Sequence, residues 1–180
     1  MFIKIGLYMI IGEDVIISER AEIKRPELCQ VGNHVAIDSG FYCTTGLSVG
    51  DYVHIGPYVT CIGGKEGMFE LHGYNNVMAG ARIICCSDRF DDSGLFGALI
   101  PEHLKGRQMK EPVIMERFSN VGTNAIVLPG TTLREGVLVA AGSLIMGDTV
   151  PWGVYKGNPA KLVKVINPDK ILKMVEKYEL

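Results

Sequence analysis

Apolar residues recur along this chain every six positions, a spacing that fits neither the 3.6-residue helix nor the plain alternation of a long strand. They fall at Ile11, Ile17 and Ile23, then, after a two-residue slip, at Val31, Ile37, Cys43, Val49, Ile55 and Cys61. The register restarts ten residues on at Leu71, Val77 and Ile83, breaks across a long segment, and returns at Met115, Val121, Val127, Leu133, Val139 and Ile145. With 47% of residues apolar, chance occupancy of all eighteen positions is on the order of 1 in 10⁶ before any choice of register.

Four residues after most key positions stands a small or β-branched side chain, among them Val35, Val53, Ala81, Ser87, Ala125, Thr131 and Ser143. Both positions are expected to point inward. Glycine follows the key residue at Gly12, Gly32, Gly50, Gly56 and Gly122, where a turning chain needs positive φ or close backbone approach. Each unit therefore reads as a short strand plus a corner. Three units close a triangular coil, so the eighteen predict an all-β solenoid of about six coils. At roughly 4.8 Å per coil it stands about 29 Å tall.

Assigning units to faces by threes places both interruptions on one edge of the prism. The expansion Gly63–Glu70 lies directly beneath the corner loop insertion of residues 88–112. Long loops in compact domains are more often functional than ornamental. After residue 165 the pattern changes: Asn167-Pro168-Asp169 supplies a cap and a first-turn proline, followed by Ile171, Leu172, Val175 and Tyr178. Residues 166–180 are thus expected to form a short C-terminal α-helix that caps a solenoid domain spanning 1–165.

Charge changes this picture little. A net charge of −2 gives no electrostatic reason to expect nucleic acid or an anionic membrane surface. No apolar run approaches the length of a membrane span, and Met1–Ile11 reads as a strand rather than a leader, so a cytoplasmic protein is expected. The five cysteines are odd in number and lack paired metal-ligand spacing, which predicts buried thiols. No metal is expected.

The run Trp152-Gly153-Val154-Tyr155-Lys156-Gly157-Asn158-Pro159-Ala160-Lys161 resembles the tail of hexapeptide-repeat acetyltransferases of the galactoside, maltose and xenobiotic group. Val121 to Gly130 and Ala140 to Ser143 resemble the same group, so the likeness runs from Val31 to Lys161. This resemblance implies the hand of the solenoid, a left-handed parallel β-helix. It also implies a homotrimer with acetyl-CoA in a cleft between subunits. The positions matching the family's cofactor site are Gly122, Ala141 and Gly142 for the pantetheine arm, Pro159 and Ala160 for adenine, and Lys156 or Lys161 for the nucleotide phosphate. The implied reaction moves acetyl to a hydroxyl or amino group of a sugar or nucleotide-linked sugar without a covalent acyl-enzyme.

Where that family carries a catalytic histidine, this chain has Asp88. The segment Ser87-Asp88-Arg89-Phe90-Asp91-Asp92-Ser93-Gly94 instead resembles a subgroup associated with surface-polysaccharide and nucleotide-sugar acetylation. Arg89, Asp91 and Asp92 are its candidate substrate-binding residues. An attacking hydroxyl needs a base of near-neutral pKa, for which histidine is the usual choice. His54 is the first candidate, with Asp88 of a neighbouring subunit to orient it. His72 is the second; His34 matches no family position and His103 lies in the long loop. An acceptor amine would need only a weaker base.

Two other classes share the architecture. A zinc carbonic-anhydrase-like enzyme would need a close histidine pair, and His34, His54 and His72 are spaced by 20 and 18 residues. A non-catalytic scaffold would fit the periodicity and leave the Gly-Asn-Pro-Ala-Lys tail without a purpose.

Overall fold

The computed structural model describes residues 9–177. Strands of two to five residues form three parallel sheets, the faces of a triangular prism. The first face stacks Ile10–Ile11, Cys29–Val31, Gly46–Val49, Met68–Leu71, Val113–Met115 and Thr132–Leu133. The third stacks Glu22–Ile23, Tyr42–Cys43, Thr60–Ile62, Arg82–Ile84, Ile126–Val127 and Leu144–Ile145. Between them in chain order, the second runs from Val15–Ile17 through Val35–Ile37, His54–Ile55, Asn76–Val77, Asn120–Val121 and Leu138–Val139 to Gly153–Gly157. This is the left-handed parallel β-helix.

The six-residue period survives as strand register. Ile17, Ile37, Ile55, Val77, Val121 and Val139 pair in sequence up the second face, and the other key residues pair likewise on theirs. From Val31 to Ile145 every key side chain is buried, whereas Ile11, Ile17 and Ile23 of the first described coil are not. The strand Gly153–Gly157 adds a seventh turn beyond the six expected, then folds back on Ala160–Val165 as an antiparallel hairpin. Sequence periodicity ends at Ile145 because this hairpin has one exposed side and no interior to fill.

Of the two reasons expected for the glycines at the corners, close backbone approach is the one that applies. The glycines directly after key residues are not left-handed; they are squeezed by the coil above, so that a Cβ on Gly122 would lie 2.6 Å from the Ala141 nitrogen. Positive φ falls two residues later, at Gly80 and Gly142 but also at His34, Tyr52, Tyr74, Phe118 and Asn124. Four of these bulky residues stack along the edge between the first and second faces. Ring centroids are 4.7 Å apart for His34–Tyr52, 5.0 Å for Tyr52–Tyr74 and 5.0 Å for Tyr74–Phe118. Trp152 closes the column 6.0 Å from Phe118 and covers Gly136, where any Cβ would strike the indole. Stacking between coils offsets the cost of left-handed backbone at non-glycine residues.

Several buried positions are polar, among them Ser119, Thr131, Ser143 and the amide Asn75. Asn75, buried below the long insertion, accepts from the Gly73 N–H at 2.9 Å and donates to the Glu116 and Ser119 carbonyls at 2.8 and 3.0 Å. It joins coils whose contacting residues lie 41 and 44 positions apart. Ser87 is not inward, as its place in the pattern predicted. It lies half-buried in a hairpin formed by Cys86–Asp88 and Gln108–Lys110, where the chain has already left the prism. Cys29, Cys43, Cys61 and Cys85 are buried free thiols and Cys86 is half-buried. Burial pushes the Cys29 thiol up to about 12, which keeps it protonated and inert.

The helix spans Asp169–Lys177 and has no buried residue; the expected Tyr178 lies outside the described residues. Its Ile171 lines a cavity of about 200 Å³ with Phe118, Leu138, Trp152 and Ile166, on the outer side of the second face.

Candidate active site

Stacking the coils gathers residues far apart in sequence onto the edge between the second and third faces. Gly122 is in the fifth coil, Ala141 and Gly142 in the sixth, and Lys156 in the seventh turn. Gly122 owes its missing side chain to the coil above, whereas Gly142 has φ +66° and open space where a Cβ would be. Gly122 and Asn124 donate backbone hydrogen bonds to neighbouring coils, as do Ala140 and Gly142. The N–H groups between them, on the exposed residues Thr123 and Ala141, have no acceptor among the described residues. Two donors one coil apart, about 4.8 Å, suit an extended amide-bearing chain lying along this edge.

At the top of the edge, the hairpin sets Lys156 directly opposite Lys161, with Asn158 and Pro159 at its turn and Gly157 opposite Ala160. Like charges paired across a hairpin repel, so this exposed pair is suited to an anion.

His54 occupies the outer side of the second face in the third coil, two coils below Gly122. Its Nε2 lies 2.9 Å from the Asp38 carboxylate of the coil beneath, a contact between half-exposed side chains. The carboxylate partner expected from a neighbouring Asp88 is thus already present within the chain. Above His54 stands Asn76, whose buried Oδ1 has no hydrogen-bond partner among the described residues. Both line a groove of about 560 Å³ beside the aromatic column. A buried carbonyl oxygen without a donor is costly unless a ligand or water supplies one.

The other histidines are placed differently. His72 follows the first-face strand and lies 3.5 Å from Glu70, while His34 Nδ1 is 2.9 Å from Asp14. Each of the three thus has its own carboxylate neighbour, and among the described residues no His, Cys, Asp or Glu cluster has the makings of a metal site. His103 belongs to a short 3₁₀ turn, Glu102–Leu104, in the long loop.

Asp88 projects from the edge between the third and first faces, opposite the face that carries His54, so one chain cannot bring the two together. Its carboxylate accepts from the Gly97 N–H at 3.1 Å and from Gln108 Nε2 at 2.8 Å, which shapes the loop. Asp91 is engaged by Ser93 and by Arg107 at 2.9 Å, contacts that hold its pKa below the usual carboxylate value, led by the Ser93 hydroxyl. The exposed side chains of Arg89 and Asp92 have no such partners among the described residues. The same loop bears Phe90 at 89% exposure and Leu99 at 98%, which is far more apolar surface than a free loop needs.

No model of a known protein family matches the chain. A curated relative, the dTDP-4-amino-4,6-dideoxy-D-glucose acyltransferase of Escherichia coli, is 27% identical over 84% of this chain and 79% of its own length. Among solved structures, AntD, an N-acyltransferase from Bacillus cereus in complex with dTDP and 3-hydroxybutyryl-CoA, superposes with a TM-score of 0.90 at 28% identity. The match covers 97% of this chain and 91% of that one. Over most of its length the chain thus resembles acyltransferases built on the hexapeptide-repeat fold.

A hexapeptide-repeat acetyltransferase from Vibrio cholerae shares the fold alone, at TM-score 0.58 and 18% identity over 89% of this chain and 76% of that one. Sequence reasoning singled out Gly122, Ala141, Gly142 and His54 as candidates and passed over Asp38 and Asn76, which the structure sets beside His54. Asp38 directly follows the key residue Ile37, and so reads as an ordinary corner residue. Only the 16-residue return of the chain shows it facing a histidine.

Proposed function

We propose that the protein is a homotrimeric N-acyltransferase that moves an acyl group from acyl-CoA to the amino group of a nucleotide-linked amino sugar. The observation that carries this reading is the close superposition on AntD, which has been solved with dTDP-4-amino-4,6-dideoxyglucose and coenzyme A. The pantetheine arm runs down the edge past Ala141, Gly142 and Gly122, with Lys156 and Lys161 at the nucleotide phosphates and Pro159 and Ala160 beside adenine. From Ala141 to the level of His54 is three coils, about 14 Å, a length the arm spans. The exposed apolar loop of a neighbouring subunit covers this edge and delivers Asp88, Arg89 and Asp92 to the acceptor sugar.

The unprotonated acceptor amine attacks the thioester carbonyl, and orientation supplies much of the acceleration. As the C–N bond forms, His54 takes the amine proton, with Asp38 fixing its ring. The C–S bond then breaks and the departing thiolate receives that proton. Asn76 Oδ1 accepts from the acceptor amine and aligns its lone pair. This chemistry fits a cytoplasmic step in making surface-polysaccharide precursors, where acyl-CoA is at hand.

Following thiol release tests the reading. Acetyl-CoA or 3-hydroxybutyryl-CoA is expected to react with dTDP-4-amino-4,6-dideoxyglucose, and turnover only with hydroxyl sugars would overturn N-acylation. In the Lys156→Ala/Lys161→Ala variant, calorimetry is expected to show CoA binding about 10-fold weaker or more, with salt dependence reduced. Unchanged affinity would remove the pair from the cofactor site.

A further inference from the structure

All three departures from the six-residue period fall on the edge between the third and first faces: the slip after Ile23, the expansion after Cys61 and the excursion after Ile83. Each contributes cations to one cavity of about 470 Å³. Arg25 comes from the slip, Lys65 from the expansion, and Lys105 and Lys110 from the excursion. A single carboxylate, Glu66, also lines it, 3.0 Å from Lys110. Lys105 meets Glu102 at 2.9 Å, and the Arg25 Nε donates to the Thr44 carbonyl at 3.1 Å, leaving its terminal nitrogens. Lys65 is exposed and has no ion pair among the described residues. Four cations thus line the cavity against one carboxylate, in a chain of net charge −2.

We infer that this cavity seats the diphosphate of the nucleotide-linked acceptor, an inference that rests on the N-acyltransferase reading above. Gln108 lines the cavity and donates to Asp88 at 2.8 Å, so the cavity adjoins the carboxylate that the reading places at the acceptor sugar. Its walls belong to the lower and middle coils, at the level of His54. The Lys156–Lys161 pair stands in the seventh turn, about four coils or 19 Å higher and on another edge. One anion seat therefore serves the CoA phosphates and a second, separate one serves the acceptor. Clustered Lys and Arg at the acceptor diphosphate would supply charge-assisted hydrogen bonds and distinguish a nucleotide-linked sugar from a free one.

The test measures dTDP and CoA binding separately by calorimetry on the full chain, for the wild type, Lys65→Glu, and Lys65→Ala/Lys105→Ala. Both variants are expected to bind dTDP at least about 10-fold more weakly, with CoA affinity within about twofold of wild type, and to raise KM for the nucleotide-linked amino sugar. Unchanged dTDP affinity in Lys65→Glu overturns the inference alone. Loss of CoA rather than dTDP affinity assigns the cavity to the cofactor and also overturns it. A wild type that ignores dTDP yet acylates a free amino sugar overturns the nucleotide-linked reading and the inference with it.

Discussion

Replacing His54 with alanine is expected to lower kcat by about 10²- to 10³-fold, within the range contributed by a positioned general base, while CoA affinity stays near wild type. The expectation follows from the shared groove with Asn76 and from the 2.9 Å contact with Asp38. Asp38 is a positioning residue. Its conversion to asparagine keeps an oxygen that can hold the ring but removes the charge that steadies the protonated imidazole. Asp38→Asn is therefore expected to lower kcat about 10-fold with KM little changed, whereas a merely structural role would lower protein stability instead. A His54→Ala enzyme within about twofold of wild-type kcat, set against the gain expected of a general base, would eliminate His54. The proton would then pass to His72, or leave the amine unaided, and the same kcat measurement on His72→Ala separates those two cases.

The largest stability effect is expected at Asn75. Alanine there would strand the Gly73 N–H and the Ser119 carbonyl in a position that is 2% exposed, while the Glu116 carbonyl loses one donor and keeps the Ser119 hydroxyl at 2.7 Å. At about 1–3 kcal/mol for each stranded buried group, with partial relaxation, the loss should be roughly 3–5 kcal/mol, read from the urea midpoint. A carboxylate in place of the amide keeps the shape but loses both N–H donors and buries a charge, so Asn75→Asp should cost at least as much. A midpoint shift worth less than about 1 kcal/mol, the net value of one ordinary hydrogen bond, would show that the coils on either side of the long insertion hold together without this bridge.

The sequence by itself determined the solenoid. A side chain every six residues is a local property, and stacking identical units propagates it into the register of Ile17, Ile37, Ile55, Val77, Val121 and Val139 without further information. The edge shared by the interruptions was legible for the same reason, since counting units is counting faces. The hand and the acyl-CoA chemistry were legible only through resemblance, because a period carries no handedness.

Tertiary structure alone decided which outward side chains meet. His54 finds Asp38 across 16 residues, Phe118 finds Trp152 and Lys156 finds Lys161, and none of these pairs stands at a periodic apolar position. It also decided that His54 and Asp88 stand on opposite sides of one chain. Outward positions are free of the packing demand that makes the interior regular. Their pairing depends on the offset between successive coils, which the slip, the expansion and the excursion each reset.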